Sequence, residues 1–197
     1  MRIPFQAFLY SFSLAFLPGC GGSNSAPLVS DIQANQLAYG QTAQFTLTGS
    51  SLDKDLNVST KNCRGLALVS GGSETSKAVT CTVGAVGAGA VTFEAKLADG
   101  TVIKSASFDV PNPQVSMVTN LGTVLLELNP SAAPLTSNNF LQYVNDRFYD
   151  NTIFHRIVTS GIFIAQGGWL TPTPNAQTGQ RLPISLEVGK GLSNVKD

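Results

Sequence analysis

Apolar and polar residues alternate along much of the segment 27–110, and this pattern predicts β-strands. In the stretch AVTFEAKL, the apolar residues Val91, Phe93, Ala95 and Leu97 occupy every second position. A period of two places these side chains on one face, as expected for a strand with one buried face. The stretches TAQFTLT and SASFDV alternate in the same way, so we expect further strands there.

Turn signals separate these predicted strands. Asp99-Gly100 follows AVTFEAKL directly and predicts a hairpin. Several short strands with turns between them indicate an all-β sandwich over residues 27–110. The strand spacing in YGQTAQFTLTGSSLDKDLNVST resembles that of immunoglobulin-like modules of bacterial surface proteins. The glycines of VGAVGAGA run in the reverse of the dinucleotide-binding order with no helix after them, which favours a turn or a small-residue strand.

The pattern changes after Pro111-Asn112-Pro113, where we place a domain boundary because proline interrupts strand pairing. The stretch QVSMVTNLGTVLLELN predicts two strands around a turn. SAAPLTSNNFLQYVND predicts a helix, with Pro134 in its first turn. FYDNTIFHRIV and FIAQGG predict two more strands. The expected fold class is therefore mainly β, with a β-sandwich at residues 27–110 and a second domain with one helix at residues 114–197.

The N-terminus has the features of an export signal. The apolar run FLYSFSLAFL is too short for an ordinary membrane span and suits a signal peptide. It leads into Leu17-Pro18-Gly19-Cys20, which resembles a bacterial lipoprotein box. This predicts a signal peptide at residues 1–19, lipidation of Cys20 and a tether at residues 20–26. The protein would then be exported and lipid-anchored to a bacterial membrane, facing the periplasm. The alternative is an ordinary secretory peptide in which Cys20 is incidental.

Export decides how the remaining cysteines are interpreted. Cys63 and Cys81 form an even pair in an oxidising compartment, which favours a disulfide over two buried free thiols. Two cysteines and a single distant histidine do not make a zinc site, so no metal and no cofactor are expected. Twelve Lys and Arg balance twelve Asp and Glu, so the chain has no basic surplus for binding nucleic acid.

The candidate chemistry lies in FHRIVTSGIFIAQGG, where His155, the only histidine of the chain, precedes Arg156. No nucleophile with a triad signature and no paired carboxylates accompany them. Together with the upstream motifs ELNP, AP-T--NF and FYDNTIFHR, the stretch resembles the N-terminal half of a cyclophilin-type peptidyl-prolyl isomerase. The resemblance implies that residues 114–197 form an incomplete cyclophilin-like β-barrel and that the partners are proline-containing polypeptides.

The resemblance also implies roles for individual residues. Arg156 would be the catalytic guanidinium, with Phe163, Ile164, Gln166 and His155 binding the substrate. Phe163 is assigned by counting back from Gln166, because the intervening loop is about two residues longer than the family's common form. Taken alone, Arg156 would more often be an ion-pair arginine and Phe163 a core residue.

The predicted function is peptidyl-prolyl isomerisation that assists the folding of exported proteins. Residues 115–197 correspond to about half of a cyclophilin domain, so we expect a prematurely terminated product that folds poorly and lacks half of its site. The alternatives are an inactive protein that binds prolyl peptides and a structural surface lipoprotein.

Overall fold

The computed structural model describes residues 25–192 except Ile162 and Pro174. The predicted signal peptide, the lipidation site Cys20 and most of the tether lie outside the described residues. Within them no helix combines the length and the hydrophobicity needed to cross a membrane. The described residues contain one α-helix and eleven β-strands, in the order β1 (Leu28–Ala34), β2 (Thr42–Ser50), β3 (Leu56–Lys61), β4 (Cys63–Leu68), β5 (Ser76–Val83), β6 (Gly87–Leu97), β7 (Val102–Val110), β8 (Gln114–Thr119), β9 (Gly122–Glu127), α1 (Pro134–Asn145), β10 (Phe154–Val158) and β11 (Ile164–Gly167).

The first seven strands form two antiparallel sheets that share one core. One sheet has the order β1-β2-β5-β4 and the other the order β3-β6-β7. This is the strand order of seven-stranded immunoglobulin sandwiches of the constant type. The predicted mainly β fold is confirmed, whereas the kinship of this module with immunoglobulin-like surface modules stays a prediction.

Facing apolar side chains of the two sheets hold the sandwich together. Phe45 of β2 stacks on Phe93 of β6 with ring centroids 5.0 Å apart, and Phe108 of β7 meets Phe45 edge-on at 5.3 Å. Both Phe45 and Phe93 are completely buried. Burial of each such ring contributes roughly 1.5–3 kcal/mol, and this explains why the alternating positions of the sequence face inward.

A tight corner carries the chain from one sheet to the other between β3 and β4. Asn62 lies at the corner with a φ of +61°, a conformation that asparagine tolerates better than most residues. Its side-chain Nδ2 donates to the carbonyl of Ala90 at 2.8 Å. The next residue, Cys63, forms a disulfide with Cys81 of β5, as the cysteine count predicted. The disulfide therefore fixes the first residue of edge strand β4 to its neighbour.

The second part of the chain contains two separate two-stranded sheets, β8–β9 and β10–β11, and the helix α1. The predicted β8–β9 turn and the predicted helix with proline at its start are confirmed. The strand predicted over FYDNTIFHRIV is wrong in extent, because only Phe154–Val158 is extended. Arg147 and Asn151 both adopt positive φ, and the residues between them form turns. The described residues form no closed barrel.

Burial is distributed unequally between the two parts of the chain. Every large buried apolar side chain among the described residues lies before residue 111. Among the described residues from 114 to 192, only Pro130, Ala133 and Ser137 are buried, while Leu121 is 93% exposed. Stabilisation by apolar burial is therefore concentrated in the sandwich.

Removing the disulfide tests its contribution to the sandwich. Replacing both Cys63 and Cys81 by alanine should lower the free energy of unfolding by about 3 kcal/mol. The disulfide joins residues 18 positions apart and so restricts the conformations of the unfolded chain, and the variant loses this restriction. Urea unfolding with and without reductant measures the effect. Reductant should destabilise the wild type and leave the double variant unchanged. An equal response of both proteins would contradict a stabilising disulfide.

Candidate functional site

The ribbon β10–β11 brings together three of the residues predicted to form the site. Arg156 pairs with Gln166 in the antiparallel register, and Val158 pairs with Ile164. Residues that face each other across two strands project from the same face, so Arg156, Gln166 and Ile164 share one face. The Nη1 atom of Arg156 donates to Oε1 of Gln166 at 3.4 Å.

Arg156 is exposed, and a guanidinium has further N–H donors besides the one bonded to Gln166. Ion pairs among the described residues join Lys96 to Glu94 and Arg181 to Asp146. Arg156 takes part in neither pair. Within the described residues it is therefore not an ion-pair arginine, which was the alternative interpretation of its sequence position.

His155 lies at the bulge of the ribbon, between the paired positions Phe154 and Arg156. Its ring approaches Trp169 edge-on with centroids 6.5 Å apart. Its Nδ1 atom is inaccessible to solvent and has no hydrogen-bond partner among the described residues. This environment suits a packed ring rather than a proton carrier, and the predicted contact of His155 with substrate stays a prediction.

Phe163 lies directly before β11, and its side chain is 81% exposed. Ile164 beside it is half-buried. An aromatic ring with most of its surface in solvent does not form a closed wall for a proline ring. The described residues thus bring Arg156, Ile164 and Gln166 together but leave Phe163 outside an enclosed pocket, so its role stays a prediction.

Two glycines that sequence reasoning did not single out fix the end of β11. A Cβ atom on Gly167 would lie 2.8 Å from Cδ1 of Phe154, and one on Gly168 would lie 2.8 Å from Cδ1 of Tyr149. Gly168 also has a φ of +86°, which L-residues disfavour. The two aromatic rings therefore contact the backbone that follows Gln166. The pair Gly-Gly directly after Gln166 was the available sequence signal.

Tyr149 connects this backbone to the helix. Its ring lies 5.4 Å from Phe140 and 5.8 Å from Tyr143, both on α1. Burial, and to a lesser extent the neighbouring Tyr143, raise the pKa of Tyr149 above its ordinary value. The turn that carries Tyr149 is held by Gln177, whose Nε2 donates to the carbonyl of Phe148 at 2.8 Å. Sequence analysis missed Gln177, since nothing local marks a contact across 29 residues.

A segment without regular secondary structure, residues 181–187, contacts both ends of α1. At the C-terminal end, the Arg181 guanidinium pairs with Asp146, and its backbone N–H donates to the Tyr143 hydroxyl at 2.6 Å. At the N-terminal end, the Glu187 carboxylate accepts from the backbone N–H groups of Leu135 and Thr136 at 2.9 and 2.8 Å. These N–H groups have no partner within the helix, and α1 has no side-chain cap of its own. A carboxylate at this end is also favoured by the helix dipole.

Two opposing effects act on the pKa of Glu187. Desolvation raises this pKa, but the hydrogen bonds from Thr136 and Leu135 together lower it by more. The pKa of Glu187 therefore lies below its ordinary value of 4.5. A carboxyl group whose pKa is depressed by folding stabilises the folded state above its ordinary pKa. That stabilisation is lost as the pH falls through the depressed value.

The amide groups of Leu135 and Thr136 should report this titration. In an NMR titration from neutral to acidic pH, we expect their proton shifts to move with a midpoint below 4.5. Glu187→Gln should abolish the transition because the neutral amide does not titrate. Asp146→Asn, which alters only the opposite end of the helix, is the matched control and should retain it. An unchanged transition in Glu187→Gln would show that another group is responsible.

Comparison with known proteins places this site in a family. Residues 114–196 match the family model of the cyclophilin type peptidyl-prolyl cis-trans isomerases. Peptidyl-prolyl cis-trans isomerase cyp18 of Streptomyces antibioticus is 44% identical over 80 residues, which cover 41% of this chain and 46% of the relative. Peptidyl-prolyl cis-trans isomerase B of Escherichia coli is 38% identical over 82 residues, which cover 42% and 48%.

The segment 114–196 therefore belongs to the cyclophilin-type peptidyl-prolyl cis-trans isomerase family. The chain spans about half the length of the curated relatives it matches. No solved structure matches the chain.

Proposed function

We propose that this protein is a peptidyl-prolyl cis-trans isomerase that assists the folding of exported proteins, with Arg156 as the catalytic residue. The observation that carries the proposal is the pairing of Arg156 with Gln166 on one exposed face of β10–β11. The pair lies inside the segment that matches the isomerase family.

The chemistry of the proline peptide bond explains why an arginine suffices. Resonance gives the C–N bond partial double-bond character, and its rotation barrier is about 20 kcal/mol. Twisting the bond breaks this resonance and leaves a lone pair on the proline nitrogen. A guanidinium that donates to this lone pair stabilises the twisted amide more than the planar one, without any proton transfer. An acceleration of about 10⁵-fold needs only about 7 kcal/mol of such differential stabilisation.

The hydrogen bond between Arg156 and Gln166 suggests a separate role for each side chain. Because Oε1 of Gln166 accepts from Nη1 of Arg156, it orients the guanidinium across the ribbon. The carboxamide NH₂ of Gln166 then points its donors toward a substrate carbonyl. Ile164 supplies apolar surface on the same face for the proline ring. In this arrangement Arg156 acts on the amide nitrogen while Gln166 fixes the peptide backbone.

Two features support a site of action outside the cytoplasm. The N-terminal sequence resembles a lipoprotein signal, with Cys20 as the residue that would carry the lipid. The disulfide between Cys63 and Cys81 is of a kind that persists in oxidising compartments. Unfolded chains that have just crossed a membrane are the substrates that this location would supply.

Substitution of Arg156 tests the catalytic role. Arg156→Ala should lower isomerisation of a prolyl peptide by about 10²-fold, the usual effect of removing one donor to a developing charge. Arg156→Lys should recover only part of the rate, because lysine lacks the planar fork. Exchange NMR on an Ala-Pro peptide measures both.

Arg64→Ala is the matched control, since Arg64 is an exposed arginine on the sandwich strand β4. It should leave the rate unchanged. Equal rates for wild type and Arg156→Ala would remove Arg156 from the mechanism, and a loss in Arg64→Ala would point to a general effect on folding.

A second candidate function is the binding of prolyl peptides without catalysis. It is favoured by the exposure of Phe163 and Arg156, because a guanidinium in water acts through a high dielectric and stabilises a developing charge weakly. This second function predicts that the 197-residue chain binds prolyl peptides but accelerates isomerisation far less than the Escherichia coli relative does at equal concentration. Peptide titration and exchange NMR on one sample separate the two functions, and turnover equal to that of the relative would exclude the non-catalytic one.

A further inference from the structure

Strand β4 forms an open edge of the β-sandwich. The sheet order β1-β2-β5-β4 places it at the end of the four-stranded sheet, and within the described residues it pairs only with β5. This position follows from the strand order of the sandwich itself, which is that of a seven-stranded immunoglobulin sandwich. The edge is therefore a property of the segment 28–110 and does not depend on the isomerase segment.

The backbone of β4 directs hydrogen-bonding groups to this open side. A bulge follows Arg64, and the pairing with β5 is regular again from Ala67 onward. The backbone N–H of Val69 donates to the carbonyl of Ala78 on β5 at 2.9 Å. Since the backbone groups of an antiparallel strand alternate between its two sides, those of Leu68 point away from β5. A further strand can pair with them there.

An apolar side chain lies exposed at the same edge. Leu68 pairs with Val79 in the antiparallel register, so both side chains lie on the core-facing side of the sheet. Val79 is completely buried, but Leu68 is 64% exposed, because the facing sheet has three strands against four and does not cover it. A strand added to β4 would bury part of this leucine, and each Å² of apolar surface removed from water stabilises the contact by about 25 cal/mol.

The charges near this edge stand at the two ends of one segment. Lysine and proline, which commonly protect edge strands from pairing, are both absent from the sequence of residues 64–74, RGLALVSGGSE. Its only charged residues are Arg64 at the start of β4 and Glu74 in the connection to β5, and both are exposed. The ion pairs among the described residues involve neither of them. The segment thus presents an apolar centre between two opposite charges.

This charge pattern is complementary to itself in an antiparallel arrangement. In a pairing of two β4 strands about a two-fold axis at Leu68, the position opposite Arg64 is Gly72 of the second copy, two residues from its Glu74. Diagonal neighbours of this kind lie ~7–8 Å apart, within reach of long side chains. A two-fold axis repeats each contact, so the pair of Arg64 with Glu74 forms twice. A parallel pairing would instead bring like charges together.

We propose that two copies of this protein associate through antiparallel pairing of their β4 strands, with Leu68 at the centre and an ion pair of Arg64 with Glu74 at each end. Backbone hydrogen bonds of Leu68 join the four-stranded sheet of one copy to that of the other. The interface uses no residue of the face of β10–β11 that carries Arg156 and Gln166. Association and isomerisation are therefore independent properties of the chain.

Charge reversal tests the proposed ion pairs. Sedimentation velocity of the full chain in mild detergent should show a concentration-dependent dimer. Arg64→Glu and Glu74→Arg each place like charges opposite one another at both ends and should weaken self-association about tenfold. A mixture of the two single variants has opposite charges at both ends and should form a mixed dimer with wild-type affinity. The variant with both substitutions should also self-associate like the wild type.

A charge at the centre of the edge tests the strand pairing itself. Leu68→Lys should abolish the dimer at protein concentrations up to about 500 μM, because a lysine on an edge strand opposes pairing. Leu28→Lys is the matched control, since Leu28 is 61% exposed on β1, the opposite edge strand of the same sheet, and this variant should dimerise normally. Circular dichroism establishes that each variant is folded. Should Leu68→Lys fail to fold, the charge-reversal variants still decide the question, because they change only exposed residues.

Three results would overturn the proposal. These are a wild-type chain that stays monomeric up to about 1 mM, a dimer that Leu68→Lys and both charge-reversal variants retain, and a mixture of Arg64→Glu with Glu74→Arg that associates no better than either variant alone. Arg64→Glu should isomerise a prolyl peptide at the wild-type rate, and Arg156→Ala should dimerise normally. The proposed association and the proposed isomerase activity therefore fail separately.

Discussion

The stacking of Phe45 on Phe93 is the contact on which the packing of the two sandwich sheets depends. It joins the two sheets through side chains that are fully buried, and the neighbouring Phe108 closes the same cluster. Close packing of this kind leaves little freedom in how the sheets lie on each other. The corner at Asn62 and the disulfide at Cys63 then act on strands whose positions are already defined.

The face of β10–β11 that carries Arg156 and Gln166 is held by a different kind of interaction. Around Arg156 and Gln166, order comes from aromatic rings that touch glycine backbone and from single hydrogen bonds, rather than from a buried core. Tyr149 connects these contacts to α1, because its ring packs against Phe140 and Tyr143 of the helix. Because each of these contacts is worth only about 1 kcal/mol, no single one of them fixes the geometry of the face.

Long-range polar contacts make the helix the centre of the second part of the chain. Glu187 caps its N-terminus and Arg181 pairs with Asp146 just beyond its C-terminus, so one segment contacts both ends of the helix. The same helix presents Tyr143 to the ring of Tyr149.

The sequence by itself predicted the helix, β2 and the strands from β6 to β11, and it indicated the candidate chemistry. Alternation located Phe93 and its neighbours in the core, because a half-buried strand imposes a period of two. Ordered motifs indicated Arg156 and Gln166, and they do pair.

Only the tertiary structure decided which distant groups meet. The contact of Glu187 with α1 spans more than 50 residues. The exposure of Phe163 likewise depends on its surroundings rather than on its own position in the sequence. Such contacts leave no local pattern, since periodicity reports the face a residue occupies but not what covers that face.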